Sequence, residues 1–342
     1  MAGVQQPLER RLSRIEWRAD RRPRVCEVML NAECNARCLF CYNPMEDPVF
    51  RSRSMSVEQA ARSLAVGRRE GCWIACLIGG EPTLRADLGK IALLARKLGY
   101  ACVKVVTNGL KLSDPAYARS LVDSGVNCFN ISIHGPSAEI HDRLVGVPGA
   151  FEKCLRALEN ARDLGVAPGV DHVFTRVNAE RFPEYFEMML WRHEVSYFNM
   201  IYPHYRGVMA GHRSELGIRY SELAPHVRSA MRSFLRHGLP AFSRVLVNFP
   251  PCVLPGYEHI TADWDADPGG RGEPLFGTDG TRSRMDAMKA AQRVKPPRCR
   301  RCVYDARCLG VDREYVELFG SGEFVPLRSV PERAPIRALY ER

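Results

Sequence analysis

Between about residues 24 and 202, short apolar runs alternate with stretches of helical periodicity, and few folds accommodate that order. Val25 to Leu30, Trp73 to Ile78, Cys102 to Val106, Cys128 to Ile133, Val170 to Thr175 and Val195 to Ile201 are predicted strands. Helical patterns separate them. Ser56 and Gln59 form a capping box ahead of the apolar face Val57, Ala60, Ala61, Leu64 and Ala65. Other helices are expected over Ala86 to Leu98, after Pro115, from Phe151 to Leu164, and near Pro183 to Trp191. Strands alternating with helices imply parallel pairing through right-handed crossovers. Both a partial (β/α)6 barrel of the TIM type and a doubly wound sheet fit this pattern. In either fold, chemistry belongs to the loops at the C-terminal ends of the strands. Those loops are Cys34 to Cys41, Gly79 to Thr83, Thr107 to Gly109, His134 to Pro136, and Pro203 to Gly207.

After Gly207 the alternation ends. Tyr220 to His237 reads as one more helix, Ala262 to Arg284 as a long loop, and Pro296 to Leu309 is rich in cysteine. We therefore expect a basic arm over 1–23, an α/β barrel over 24–215 and a small cysteine-rich extension over 216–342. No run approaches the roughly 18–20 apolar residues of a membrane span, and residues 1–24 have no apolar core of a secretory signal. A cytoplasmic protein without a membrane partner is expected. The net charge is +10, and seven arginines fall between Arg10 and Arg24. With Trp17 the only aromatic residue among them, a solvated arm is favoured over nucleic-acid binding.

The chain contains 13 cysteines, which in a cytoplasmic protein points to metal rather than disulfides where they cluster. Cys26, Cys72, Cys76, Cys102, Cys128 and Cys154 lie within apolar segments and are expected in the core. Cys34, Cys38 and Cys41 form C-x3-C-x2-C. Three thiolates on one loop can hold three irons of a cubane cluster and leave the fourth open, whereas structural zinc wants four ligands. Cys299, Cys302 and Cys308 form C-x2-C-x5-C, and Cys252 supplies a fourth thiol. That set suits a closed [4Fe–4S] cluster or zinc, and spacing does not separate the two.

The first motif, with Phe40 before its third cysteine, resembles that of the radical S-adenosylmethionine (SAM) superfamily. Gly79-Gly80-Glu81-Pro82 resembles that family's GGEP, Thr107-Asn108-Gly109 its TNG turn, and Asn130 to Gly135 followed by His141-Asp142-Arg143 its fourth-strand segment. The resemblance covers about Val25 to Tyr202. It implies a [4Fe–4S] cluster on Cys34, Cys38 and Cys41. It also implies SAM held by Tyr42, Gly79, Gly80, Glu81, Pro82, Asn108, Ser132 and Arg143, the glutamate and backbone taking the amino group and the last two the carboxylate. His134 stands where many relatives have aspartate. The C-terminal motif is similar to SPASM and twitch extensions. This implies an auxiliary [4Fe–4S] cluster on Cys252, Cys299, Cys302 and Cys308, with Asp312 where a full SPASM domain has a further cysteine.

The resemblance implies reductive SAM cleavage, fed by a reductant such as flavodoxin or ferredoxin. Hydrogen abstraction from a peptide or small biosynthetic substrate would follow, ending in oxidation or crosslinking. Rearrangement or epimerisation without net oxidation is the rival outcome. A zinc-stapled nucleic-acid-binding protein is the rival from another class. His172, Tyr202, His204 and Tyr205 lie on or after the fifth and sixth strands and are candidates for orienting substrate or moving a proton.

Overall fold

The computed structural model describes residues 24–237, 245–262, 264 and 272–334. The basic arm over 1–23 lies outside the described residues. Six parallel strands form the core of one sheet: β1 (Val25–Met29), β2 (Ile74–Ile78), β3 (Cys102–Thr107), β4 (Cys128–Ser132), β5 (Ala167–Val173) and β6 (Tyr197–Ile201), each paired with the next in chain order. Between them run α1 (Val57–Arg69), α2 (Leu88–Lys97), α3 (Pro115–Asp123), α4 (Ala138–Val145), α5 (Ala150–Asp163) and α6 (Phe182–Glu187). The fold is the expected partial (β/α)6 barrel.

Local chemistry sets the helix starts. The Ser56 hydroxyl accepts from Gln59 N at 3.1 Å while Gln59 Oε1 accepts from Ser56 N at 2.8 Å, completing the box. Asp114 accepts from Ala116 N at 2.9 Å ahead of Pro115. Along each strand one phase packs on the helices: Cys26, Val28, Ala75, Leu77, Val103, Val105, Phe129, Ile131, Phe198 and Met200 are buried there. The other phase faces the barrel bore.

The structure corrects several expected boundaries. The fifth strand begins three residues earlier than predicted, because Pro168 and Gly169 join the ladder; Ser196 N donates to the Pro168 carbonyl at 2.9 Å. The helix expected over Pro183 to Trp191 ends as α6 at Glu187 and widens into a π-turn over Met188–Arg192. The segment Ala262 to Arg284, expected as a loop, contributes two strands. β9 (Pro274–Phe276) pairs parallel to β1, and β10 (Arg282–Arg284) runs antiparallel to β9. Pairing with β1 satisfies its backbone and covers the barrel's first edge.

On the far edge β7 (Leu246–Val247) and β8 (Thr261–Ala262) extend the sheet, among the described residues, to ten strands in the order β10-β9-β1-β2-β3-β4-β5-β6-β7-β8. The sheet thus runs past residue 215. After β6 come α7 (Val208–Leu216), α8 (Tyr220–His237) and α9 (Met285–Gln292). A separate pair, β11 (Arg293–Val294) with β12 (Val311–Asp312), closes the base of the second cysteine loop and leads into α10 (Arg313–Phe319). Among the described residues no helix is long and apolar enough to cross a membrane.

Candidate functional site

The loops after β1, β2, β3, β4 and β6 surround one cavity of ≈ 1690 Å³ that continues down the bore. Cys34, Cys38 and Cys41 all line it. The loop carrying them is held by α4 on one side and α7 on another. Arg37 N donates to Val145 O at 2.8 Å, Leu39 N to Leu144 O at 3.0 Å, and Met209 N, in the first turn of α7, to Cys41 O at 3.0 Å. Two N–H groups point at Cys34 Sγ: Ala36 N at 3.4 Å and Asn108 Nδ2 at 3.9 Å. Burial pushes the Cys34 thiol up to about 11 and Cys38 well above its ordinary value. Such thiols ionise when a cation takes them, so the donor set fits an iron cluster on three thiolates with N–H groups aimed at sulfur.

Gly79 and Gly80 lie against this loop. A Cβ on Gly80 would fall 2.2 Å from Ala32 O and 2.3 Å from Glu33 O, so only glycine lets the two turns touch. Gly80 N donates to Asn31 O at 2.7 Å and Glu81 N to Glu33 O at 2.7 Å. Glu81 itself is fully buried. Its carboxylate accepts from Thr83 N (3.0 Å), Thr83 Oγ1 (2.5 Å), Thr107 Oγ1 (2.7 Å) and Asn108 N (2.6 Å). Glu81 therefore fastens the second turn to the third. The backbone of Gly79 and Gly80 reaches the cavity, while Glu81 and Pro82 stand behind it.

Ser132, Asn108 and Tyr42 line the cavity. Tyr42 is half exposed, its ring edge-on to His204 at 6.1 Å. Arg143 does not come to the cavity. It lies on α4 with its side chain 55% exposed and bound to Glu215 Oε1 at 2.6 Å. The reason is helical phase: His141 and Leu144 of α4 are turned inward, which leaves Arg143 outward.

The bore carries polar groups where a TIM-type barrel usually packs branched apolar residues. Asn130 Nδ2 donates to Asp171 Oδ1 at 2.6 Å, and Asn199 also bonds to Asp171. Burial pushes the Asp171 carboxyl up to about 6, against the opposing pull of Lys104. The Lys104 ammonium lies 4.9 Å over the Tyr197 ring. These residues, with Glu27, line the lower cavity, and Cys76, Cys102 and Cys128 join them there. The last three are buried as expected, but on the bore face. Sequence reasoning missed Glu27, Lys104 and Asp171. Their signal was a charge at alternate positions of otherwise apolar strands.

Of the four candidates near β5 and β6, only His204 reaches the cavity. Its Nδ1 lies 2.5 Å from Asp312 Oδ2, and Arg293 bonds Asn248 Oδ1 at 2.8 Å beside it. His172 is sealed among Phe174, Phe182 and Tyr185. Tyr202 and Tyr205 bond each other and the Ile218 carbonyl in the core.

Cys252, Cys299, Cys302 and Cys308 converge on a second, small cavity of ≈ 30 Å³. Gly310 N points at Cys308 Sγ at 3.3 Å. Burial and the three neighbouring sulfurs push Cys252 up to about 12. Four thiols and an N–H aimed at sulfur fit a closed cluster. Tyr304 lines both cavities. Among the described residues no group of three His, Cys, Asp or Glu side chains is drawn together to hold a single metal ion.

The Radical SAM superfamily matches residues 29–189. A protein named "Probable GTP 3',8-cyclase" from Saccharolobus islandicus (strain M.14.25 / Kamchatka #1) is 33% identical over 162 residues, 47% of this chain and 51% of that protein. The Fe-coproporphyrin III synthase of Methanosarcina barkeri is 30% identical over 175 residues, 51% of this chain and 43% of that protein. The chain thus spans about half the length of the curated relatives it matches. Among solved structures, anSMEcpe with bound AdoMet has a TM-score of 0.59 at 18% identity, covering 91% of this chain and 93% of its own. SuiB of Streptococcus suis, bound to the precursor peptide SuiA, has a TM-score of 0.52 at 14% identity, covering 64% and 48%. These two likenesses concern the fold. The matched domain begins at the end of β1 and holds the three-thiol loop with the turns that seat it, and residues 29–189 of this chain are a radical SAM domain.

Proposed function

We propose that this protein cleaves SAM reductively and abstracts hydrogen from a peptide or polar small-molecule substrate, and that the reaction ends in oxidation or crosslinking. The observation carrying this reading is the pairing of two thiol sets around adjoining cavities: three thiols at the mouth of the large one, four around the small one, and Tyr304 between them. Cys34, Cys38 and Cys41 would hold a cluster that, when bound, would supply the one-electron reduction needed for SAM cleavage. Cys252, Cys299, Cys302 and Cys308 would hold a second, closed cluster suited to taking electrons, with zinc as the competing occupant. A soluble reductant such as flavodoxin or ferredoxin would serve the first.

The chain's own residues do the rest. Ala36 N–H and Asn108 Nδ2 point at the Cys34 sulfur, and Gly79 and Gly80 bring backbone against the loop. The cavity exceeds the roughly 300–1,000 Å³ of common small-molecule sites, leaving room beside SAM for a large substrate. Asp171, Asn130 and Lys104 give the bore both acceptors and a cation to orient polar groups.

The test is anaerobic turnover with dithionite and SAM, reading 5′-deoxyadenosine. The reconstituted wild type is expected to form it, and the triple variant Cys34→Ala, Cys38→Ala, Cys41→Ala to form none above background. Undiminished formation by the triple variant would sink the assignment.

A further inference from the structure

With Arg143 turned outward onto Glu215, the cavity wall needs another group to meet an anionic ligand. His134 stands two residues beyond Ser132, on the loop after β4, and lines the same cavity. Three bonds fix it. Its N–H donates to His141 Nδ1 at 3.0 Å, its carbonyl accepts from Asn178 Nδ2 at 2.9 Å, and its Nδ1 accepts from Val173 N at 3.1 Å. A backbone N–H can only donate, so Nδ1 carries no hydrogen and the ring's one N–H sits on Nε2. The ring packs edge-on to Phe40, between Leu39 and Cys41, at 4.4 Å and stacks on His141 at 5.8 Å. Burial beside His141 and His172 holds it neutral, so this tautomer persists across ordinary pH. Among the described residues the structure gives Nε2 no protein partner.

We propose that the His134 Nε2–H is a donor to the carboxylate of SAM, filling with Ser132 the place that Arg143 leaves. This rests on the radical SAM reading above. Of the parts of SAM, its α-amino-acid end is the one that can chelate an iron, which brings the carboxylate to the cysteine wall that Phe40 and His134 share. A bond to a charged acceptor is the stronger kind, and a locked ring spends little entropy in making it. His134 acts here as a binding residue: the donor is built into the barrel wall instead of being carried by a mobile arginine.

The test is equilibrium binding of SAM and of decarboxylated SAM to the reconstituted protein, wild type against His134→Phe and His134→Asn, with iron content measured on each. His134→Phe is expected to weaken SAM about tenfold or more and the decarboxylated ligand less than about twofold. Equal losses for both ligands, or no loss for SAM, overturn the proposal. If the Phe variant loses iron, the same comparison is read on His134→Asn. A crystal structure of the wild-type complex decides independently of any variant: Nε2 within about 3.2 Å of a carboxylate oxygen supports the assignment, and a separation beyond about 3.5 Å overturns it. A wild type that holds iron but binds neither ligand would refute the radical SAM reading itself, and the His134 assignment with it.

Discussion

Asp171 is a carboxylate buried in a barrel bore, and its cost depends on pH. Its carboxyl is pushed from 3.8 up to about 6 by burial, so between those values the folded chain holds a proton that the unfolded chain releases. Stability contributed by that proton is full below the lower value and is lost as pH rises through the upper one. At neutral pH the native state then bears about 3 kcal/mol from this group, the net of burial against the opposing pull of Lys104 and the two amides. Asp171→Asn keeps an acceptor for Asn130 and removes the charge. It is expected to be more stable than wild type at pH 7.5, with the gain falling to about 1 kcal/mol near pH 4.5. Anaerobic urea unfolding of the holoprotein at the two pH values reads this, and a difference that does not change with pH would refute the cause. The cysteine motifs and the GGEP and TNG turns were legible because each is contiguous and has a chemical reason for its spacing. The bore was less so. Asp171 lies next to His172, which drew attention as a titratable ring, yet strand alternation sends His172 into the helix layer and Asp171 into the cavity.

At the scale of elements, the cysteine loop is seated by the start of α7 as much as by the turns after β2 and β3. Gly207 has φ +62°, and a Cβ there would lie 2.4 Å from the Tyr42 carbonyl carbon and oxygen and 2.6 Å from Asn43 O. Val208 N and Met209 N then donate to Asn43 O and Cys41 O. Gly207→Ala is expected to push the loop off α7, lowering iron retention after reconstitution and weakening SAM binding about tenfold or more, through backbone strain combined with overlap. Gly211→Ala, in the same helix with open space around it, is the control and should add roughly 0.5–1 kcal/mol of stability. Equal behaviour of the two variants would show that α7 does not seat the loop. The sequence showed this region as a loop after the sixth strand. It carried no sign that the loop would fold back on Tyr42, since contacts between residues over 160 positions apart leave no local pattern. Strands β9 and β10 escaped for a related reason. Three-residue strands flanked by Gly, Asp and Arg gain their ladder from β1 and not from intrinsic preference.

The whole molecule joins its two thiol sets through an aromatic seam and a polar one. Tyr202 stacks on Tyr220 at 3.7 Å, and Tyr315 packs against both, tying β6, α8 and α10 together. Asp312, at the base of the second cysteine loop, reaches His204 on the cavity wall and Arg293 across β11. The C-terminal thiol ring is therefore built into the barrel's rim, and its occupancy should be separable from that of the first loop. Two [4Fe–4S] clusters require about eight irons per chain after anaerobic reconstitution. Cys302→Ala is expected to lower that to about four while 5′-deoxyadenosine formation continues, because Cys34, Cys38 and Cys41 stay intact. About four irons and one zinc in the wild type would leave SAM cleavage in place and remove the second ring as an electron acceptor. Unchanged iron in Cys302→Ala would overturn its assignment as a ligand. Loss of all cleavage at about four irons would mean instead that the ring holds the rim in shape through Asp312 and His204, a result that wild-type-like SAM affinity in the same variant would exclude.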